Sequence, residues 1–293
     1  MNWVPLILAS SLFLSVYDIA KKKSVKGNHV LAVLFWATAV GTLAFMLYLI
    51  GTGAFLPLFK VSAGDLLLLS GKALLVSASW IFAYYAMRAL PISIVAPIRA
   101  SAPLWTLVGA LILYHEIPTL WQGIGMGLIL VGYLGFSLAG RAEGIRFTRD
   151  KGIIYVFLGT VLGALSALYD KFLLQTCGIE RNIFQFWSSL MILLLLGIVW
   201  QVMERRRWEP TPFKWRWTIP LIGIFLTLAD WCYFRALSQE GVAISILSMI
   251  RRSSVVLTFA AGALFFHERN FKRKTPALAA ILLGVALLCL AKS

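Results

Sequence analysis

Of the chain's 293 residues, 60% are apolar and only 13% charged, and the formal net charge is +15 at pH 7. A soluble domain carries about a quarter of its residues as charges, so this composition excludes a water-soluble globular protein. The basic residues lie in short stretches between apolar runs rather than on one soluble surface, which excludes nucleic acid as the partner that such a charge would otherwise suggest.

In chain order, ten continuous apolar blocks lie approximately at residues 4–20, 29–51, 66–87, 92–114, 118–139, 152–174, 183–203, 217–237, 243–265 and 275–291. Each is long enough to cross ~30 Å of hydrocarbon at about 1.5 Å per residue. Because the blocks are continuously apolar and do not alternate, they predict helices, not barrel strands. The first has no basic stretch before it, no small-residue cleavage pattern, and Lys21, Lys22 and Lys23 directly after it, so it reads as a retained helix. The longest stretches between blocks, near 140–151 and 204–216, leave no room for a soluble domain. Cys177, Cys232 and Cys289 show no CxxC or metal spacing and read as packing residues; no metal or cofactor is expected.

Eighteen Lys and Arg follow blocks 1, 3, 5, 7 and 9, whereas the opposite side holds only Lys60, Arg181, Arg235 and Lys292. The positive-inside rule makes the richer side cytoplasmic. The chain is therefore expected in a bacterial inner (plasma) membrane with both termini on the non-cytoplasmic side.

A shift of 152 residues lays Tyr17-Asp18 on Tyr169-Asp170, Arg99 on Arg251, and His115-Glu116 on His267-Glu268. Arg88-Ala89-Leu90 matches Arg235-Ala236-Leu237 at a shift of 147, the difference being an insertion near Ser238 to Val242. These coincidences predict two repeats, residues 1–140 and 152–291. With five spans in each, the second enters the membrane in the opposite sense to the first. The expected fold is all-α: ten transmembrane helices as two inverted five-helix repeats, with a substrate site near the midplane where the halves meet.

The run from Arg88-Ala89-Leu90 through Pro103 to Glu116, then Gln122-Gly123 and Gly132, with a second copy through Gly262, Glu268 and Gly284, resembles the EamA-like part of the drug/metabolite transporter superfamily. The resemblance spans nearly the whole chain and implies a transporter, not an enzyme; substrates across the superfamily are too varied for it to name one. The second copy departs from the pattern at Val255, where the first has Pro103.

Ionised side chains in hydrocarbon are costly, by at least ~2.5 kcal/mol, and each needs a partner or a wet cavity. Within the blocks stand Lys72, Arg99, Lys171, Arg251 and Arg252 against Asp18, Asp170 and Asp230. If every aspartate takes one cation, two positive charges are left for an anionic substrate. Glu116 and Glu268 fall at helix ends, where interfacial capping is the expected role, and no second His follows to make a metalloprotease motif.

Arg99 and Arg251 lie ~12 Å into oppositely directed helices and are expected to bracket one cavity. Arg252 is turned ~100° from Arg251, toward a neighbouring helix. The arginine fork suits phosphate or carboxylate. The arrangement also looks like that of plastid phosphate-ester translocators, which implies an anion held by Arg99, Arg251 and Arg252. Their alternative role is to tie helices together through the aspartates.

The aspartates are charge partners or proton-coupling sites. Asp230, in mid-block beside Trp231, is expected to be the most buried of the three, and Trp231 is a candidate to stack on substrate. The other membrane aromatics read as packing or interface anchors. Gly123/Gly127 and Gly159/Gly163 have the spacing of close helix contacts.

The leading expectation is a secondary transporter of a small organic anion, a phosphate ester among the candidates, working by alternating access as a monomer or homodimer. No nucleotide-hydrolysing domain is visible, so a proton or counter-solute must drive it. The alternatives are an exporter of amino acids or other zwitterions, with Asp230 holding the ammonium, and, from another class, an anionic-lipid scramblase or a non-transporting membrane scaffold.

Overall fold

The computed structural model describes residues 3–90, 95, 98–99, 101–140, 151–206, 211–254 and 271–290. Its elements in chain order are α1 (Trp3–Val25), α2 (Val30–Gly51), a 3-10 turn (Leu56–Phe59), α3 (Ala63–Ala89), α4 (Ala102–Tyr114), α5 (Leu120–Gly140), α6 (Lys151–Lys171) continued by a π turn (Phe172–Thr176), α7 (Arg181–Arg205), α8 (Thr218–Leu237), α9 (Ile244–Arg252) and α10 (Phe271–Leu290). No strand occurs among the described residues. Six helices are long and apolar enough to cross a membrane: α1, α2, α3, α6 with its π turn, α7 and α8. Shorter apolar helices cover Ala102–Tyr114, Leu120–Gly132 and Ala279–Leu290. Against the expected ten crossings, the described residues hold six full-length spans and three shorter apolar helices, and parts of the blocks at 92–114 and 243–265 lie outside them.

The helix starts are encoded locally. The Ser62 hydroxyl accepts from Asp65 N at 3.0 Å to open α3, and Glu180 accepts from Asn182 N and Ile183 N to open α7, each satisfying amides that would otherwise have no helical partner. α4 stops at His115, whose φ of 52° is left-handed. Such a residue ends a helix by turning its last amides back onto the preceding carbonyls, and Glu116 N duly donates to Ala110 O at 3.3 Å. The α8–α9 insertion turns at Gly241, φ 75°, where the Gln175 amide donates to Leu237 O at 2.6 Å and holds the turn against the end of α6.

Packing between the halves follows the repeat. α1 lies on α8, and its counterpart α6 lies on α3; α2 lies on α7; α4 meets both α6 and α9, and α5 pairs with α10. Side-chain hydroxyls tie the two equivalent crossings, Ser10 Oγ donating to Ala229 O and Ser79 Oγ to Gly159 O, both at 2.7 Å.

The α5–α10 contact repeats itself at the 152-residue shift. A Cβ added at Gly132 would stand 2.7 Å from Ala277 O, and one at Gly284 would stand 2.7 Å from an Ile129 side-chain carbon and press on Gly125 O. Glycine lets these backbones approach within a distance no other residue permits.

One boundary differs in a way that matters. The apolar block ending at residue 20 is extended by more than a turn, so Lys21 lies inside α1 and is fully buried.

Candidate functional site

A central cavity of about 210 Å³ is walled by α1, α2, α3, α4, α6, α7, α8 and α9 together with Arg99. Asp18, Lys72, Arg99, Asp170, Asp230, Arg251 and Arg252 all line it. Of the membrane charges and the stacking candidate singled out in the sequence, Lys171 and Trp231 do not line it. Trp231 points to the opposite side of α8, with Tyr48 at 6.4 Å between ring centroids and the Arg235 guanidinium 4.7 Å above its ring. Arg252, expected to turn to a neighbouring helix, faces the same cavity as Arg251.

The charges form two groups. At one, Lys21 donates to Asp18 at 2.6 Å and lies 4.1 Å over the Tyr17 ring, while Tyr17 and Tyr84 hydroxyls meet at 3.4 Å. Arg99 and Arg252 act on Asp18 through space. At the other, Lys72 is paired with Asp170, and Arg251 donates to Asp230. The Arg251 guanidinium stacks 4.1 Å from the Tyr233 ring centroid, and the Lys72 ammonium lies 4.8 Å over Phe184.

Burial corrects one expectation. Asp170, not Asp230, is the deepest aspartate, with a side-chain exposure of 7% against 24%. The reason is that α6 runs on as a π turn, so Asp170 sits well inside the bundle against α3.

Lys171 leaves the cavity. Turned about 100° from Asp170 along the helix, it donates to Glu116 Oε1 at 2.6 Å. That carboxylate also accepts from Ile244 N at 2.9 Å, Ser245 N at 3.1 Å and Ser245 Oγ at 2.6 Å. Glu116 thus caps the N-terminus of α9 and clips the α4–α5 loop to both α9 and α6, a position that favours negative charge. Glu268, its repeat counterpart, lies outside the described residues.

Burial pushes the Glu116 carboxyl up, but the Lys171 ammonium, the Ser245 hydroxyl and the two amides outweigh it and hold the group below the ordinary glutamate range. A depressed folded-state pKa gives stability that is complete above the unfolded value and lost as pH falls through the folded one. Glu116→Gln is therefore expected to cost about 1.5–3 kcal/mol near neutral pH. The gap between its melting temperature and the wild type's should close in acid, and a gap of constant size from pH 7 to pH 3 would refute the charge-based clip.

With Lys171 neutralised elsewhere and Lys21 drawn in, five cations (Lys21, Lys72, Arg99, Arg251, Arg252) stand against three aspartates among the described residues in and beside the cavity. The excess of two positive charges is the one expected, reached with a different lysine.

The sequence reading missed the uncharged polar lining. Thr38 and Thr42 of α2, and Gln185, Ser188 and Ser189 of α7, all face the cavity. Their i, i+3, i+4 spacing on otherwise apolar helices was the available signal. Arg251 Nε and Thr42 Oγ1 are buried without a hydrogen-bond partner among the described residues.

The profile of the EamA-like transporter family matches residues 1–138 and 150–290, one copy to each half. A solved structure described only as the crystal structure of a protein superposes with a TM-score of 0.77 at 13% identity, over 97% of this chain and 95% of its own. At that identity the likeness is one of fold alone. No curated protein matches the chain.

Proposed function

Since the chain belongs to the EamA-like transporter family, we propose that this integral membrane protein is a secondary carrier of a small organic anion, such as a phosphate ester or carboxylate, moved through the central cavity by alternating access. The observation that carries this reading is the excess of two cations over aspartates, among the described residues, in and beside one cavity. A buried excess of charge is costly, and a transported anion offsets it in the loaded state. Arg99, Arg251 and Arg252 hold the anionic head. Lys72 and Asp170 brace α3 against α6, and Asp230 restrains Arg251 until substrate competes for it.

The two five-helix halves cross the membrane in opposite senses, so each half's motion has its mirror in the other. In this reading the Glu116 clip closes the Lys72–Asp170 end of the cavity, the end that the positive-inside rule makes non-cytoplasmic. Opening that end requires the carboxylate to leave the α9 amides. The driving force is a counter-solute or a proton.

Ligands of a folded protein raise its melting temperature by mass action. Phosphate esters or carboxylates are expected to stabilise the purified protein, with the effect lost in Arg251→Gln. Stabilisation by cations alone, or equal stabilisation of the variant, overturns the assignment. Stabilisation by amino acids and by neither simple anion makes it a zwitterion carrier, with Asp230 taking the ammonium. Movement of labelled lipid between leaflets of proteoliposomes, with no solute flux, makes it a scramblase.

A further inference from the structure

The arginines account for one end of a substrate and leave the α2–α7 wall of the cavity unassigned. We infer that the α2–α7 wall is a second subsite, which receives the body of the substrate, and that this body carries hydroxyl or amino donors rather than a plain alkyl chain. The inference rests on the anion-carrier reading of the same cavity.

Hydrogen direction is the basis. Thr38 Oγ1 donates to Leu34 O at 2.8 Å, and Ser188 Oγ donates to Phe184 O at 2.6 Å. A hydroxyl whose single hydrogen is committed to its own helix presents only lone pairs to whatever lies beyond. Gln185 behaves likewise, its amide nitrogen donating to Thr227 O at 3.0 Å and leaving the carbonyl oxygen as acceptor. All three residues line the cavity. These three groups therefore accept, while the guanidinium groups only donate. A ligand satisfying both must have acceptors at its head and donors along its body.

Thr42 is the independent pointer. The residue lines the cavity and is 8% exposed, and its Oγ1 is buried with no partner among the described residues. A buried hydroxyl left unpaired destabilises the protein that carries it, so its presence is accounted for by a state in which it is paired.

The stripe is not a by-product of duplication. At the 152-residue shift Thr38 and Thr42 fall on Leu190 and Leu194, and Gln185 and Ser188 fall on Val33 and Trp36. The cavity, at about 210 Å³, is smaller than the ~300 Å³ at which drug-sized pockets begin, so a small anion gripped by the arginines has its body at this wall.

The test compares matched probes that differ only in donors: glycerol 3-phosphate against propyl phosphate, and glycerate against propionate. Titrations use wild-type protein, Thr42→Val and Ser188→Ala. In whichever pair the head group binds, the hydroxylated member should bind about tenfold more tightly. Thr42→Val should erase most of that preference while leaving the melting temperature of the empty protein unchanged or raised. That pairing of opposite signs is one a merely structural hydroxyl does not give.

Equal affinity for the two members of a binding pair, or a preference untouched by both substitutions, overturns the subsite and leaves the anion carrier standing. A lowered melting temperature for empty Thr42→Val also overturns it. If no member of either pair binds, the anion-carrier reading itself falls.

Discussion

Asp170→Asn should destabilise the folded protein by about 3–5 kcal/mol, the largest effect expected of any single change at the cavity. Lys72 and Asp170 are 4% and 5% exposed, and they join α3 to α6, one of the two equivalent crossings that tie the halves together. The Lys72 ammonium is enclosed by the Phe184 and Phe234 rings, at 4.8 and 5.3 Å from their centroids. Those rings compensate a cation only in part, so without the carboxylate a desolvated ammonium is left inside the bundle.

The double variant Lys72→Met/Asp170→Leu removes both charges and fills the space with apolar side chains. It should recover most of the lost stability, since a well-packed apolar pair often equals a buried ion pair. Thermal melts of the detergent-purified single and double variants read this directly. A single variant that melts with the wild type would mean that water or Asp230 neutralises the ammonium.

Hydropathy and the repeat make most of the frame legible in the sequence alone. Long apolar runs leave helices as the spanning element, and two sequence copies at one shift impose matched packing. Single-residue orientation was harder to read. Asp170 and Lys171 are neighbours in sequence, yet a helix turns them about 100° apart, so one faces Lys72 and the other closes with Glu116.

The same turn separates Asp230, on the cavity, from Trp231, which packs on Tyr48. Lys21 was assigned to a loop because it directly follows an apolar block. Its three-residue spacing from Asp18 already marked the two as helix-face partners. The Lys72–Asp170 pair had no signal at all in the repeat, because at shifts of 147 and 152 Lys72 falls on Ile219 and Ile224.

Arg99→Gln should do the reverse of Asp170→Asn, removing transport while sparing the fold. Arg99 is half-buried on the cavity and forms no ion pair within 4 Å with a described residue. Its repeat counterpart, Arg251, is by contrast bonded to Asp230. Removing Arg99 therefore strands no carboxylate, since Asp18 keeps Lys21 at 2.6 Å, and it lowers the positive excess that the empty cavity must tolerate. Stability should stay within about 1 kcal/mol of wild type or rise.

The anion, however, loses a fixed fork of donors at a desolvated position. Truncating one side of such a contact costs about 2–5 kcal/mol, so uptake of the anion that best stabilises the wild type should fall about 30- to 4,000-fold in proteoliposomes. Arg99→Lys restores the charge without the paired geometry and should recover only part of the flux. If Arg99→Gln melts several degrees early, the residue is a helix tie. If it melts normally and still transports at the wild-type rate, the head group is held elsewhere.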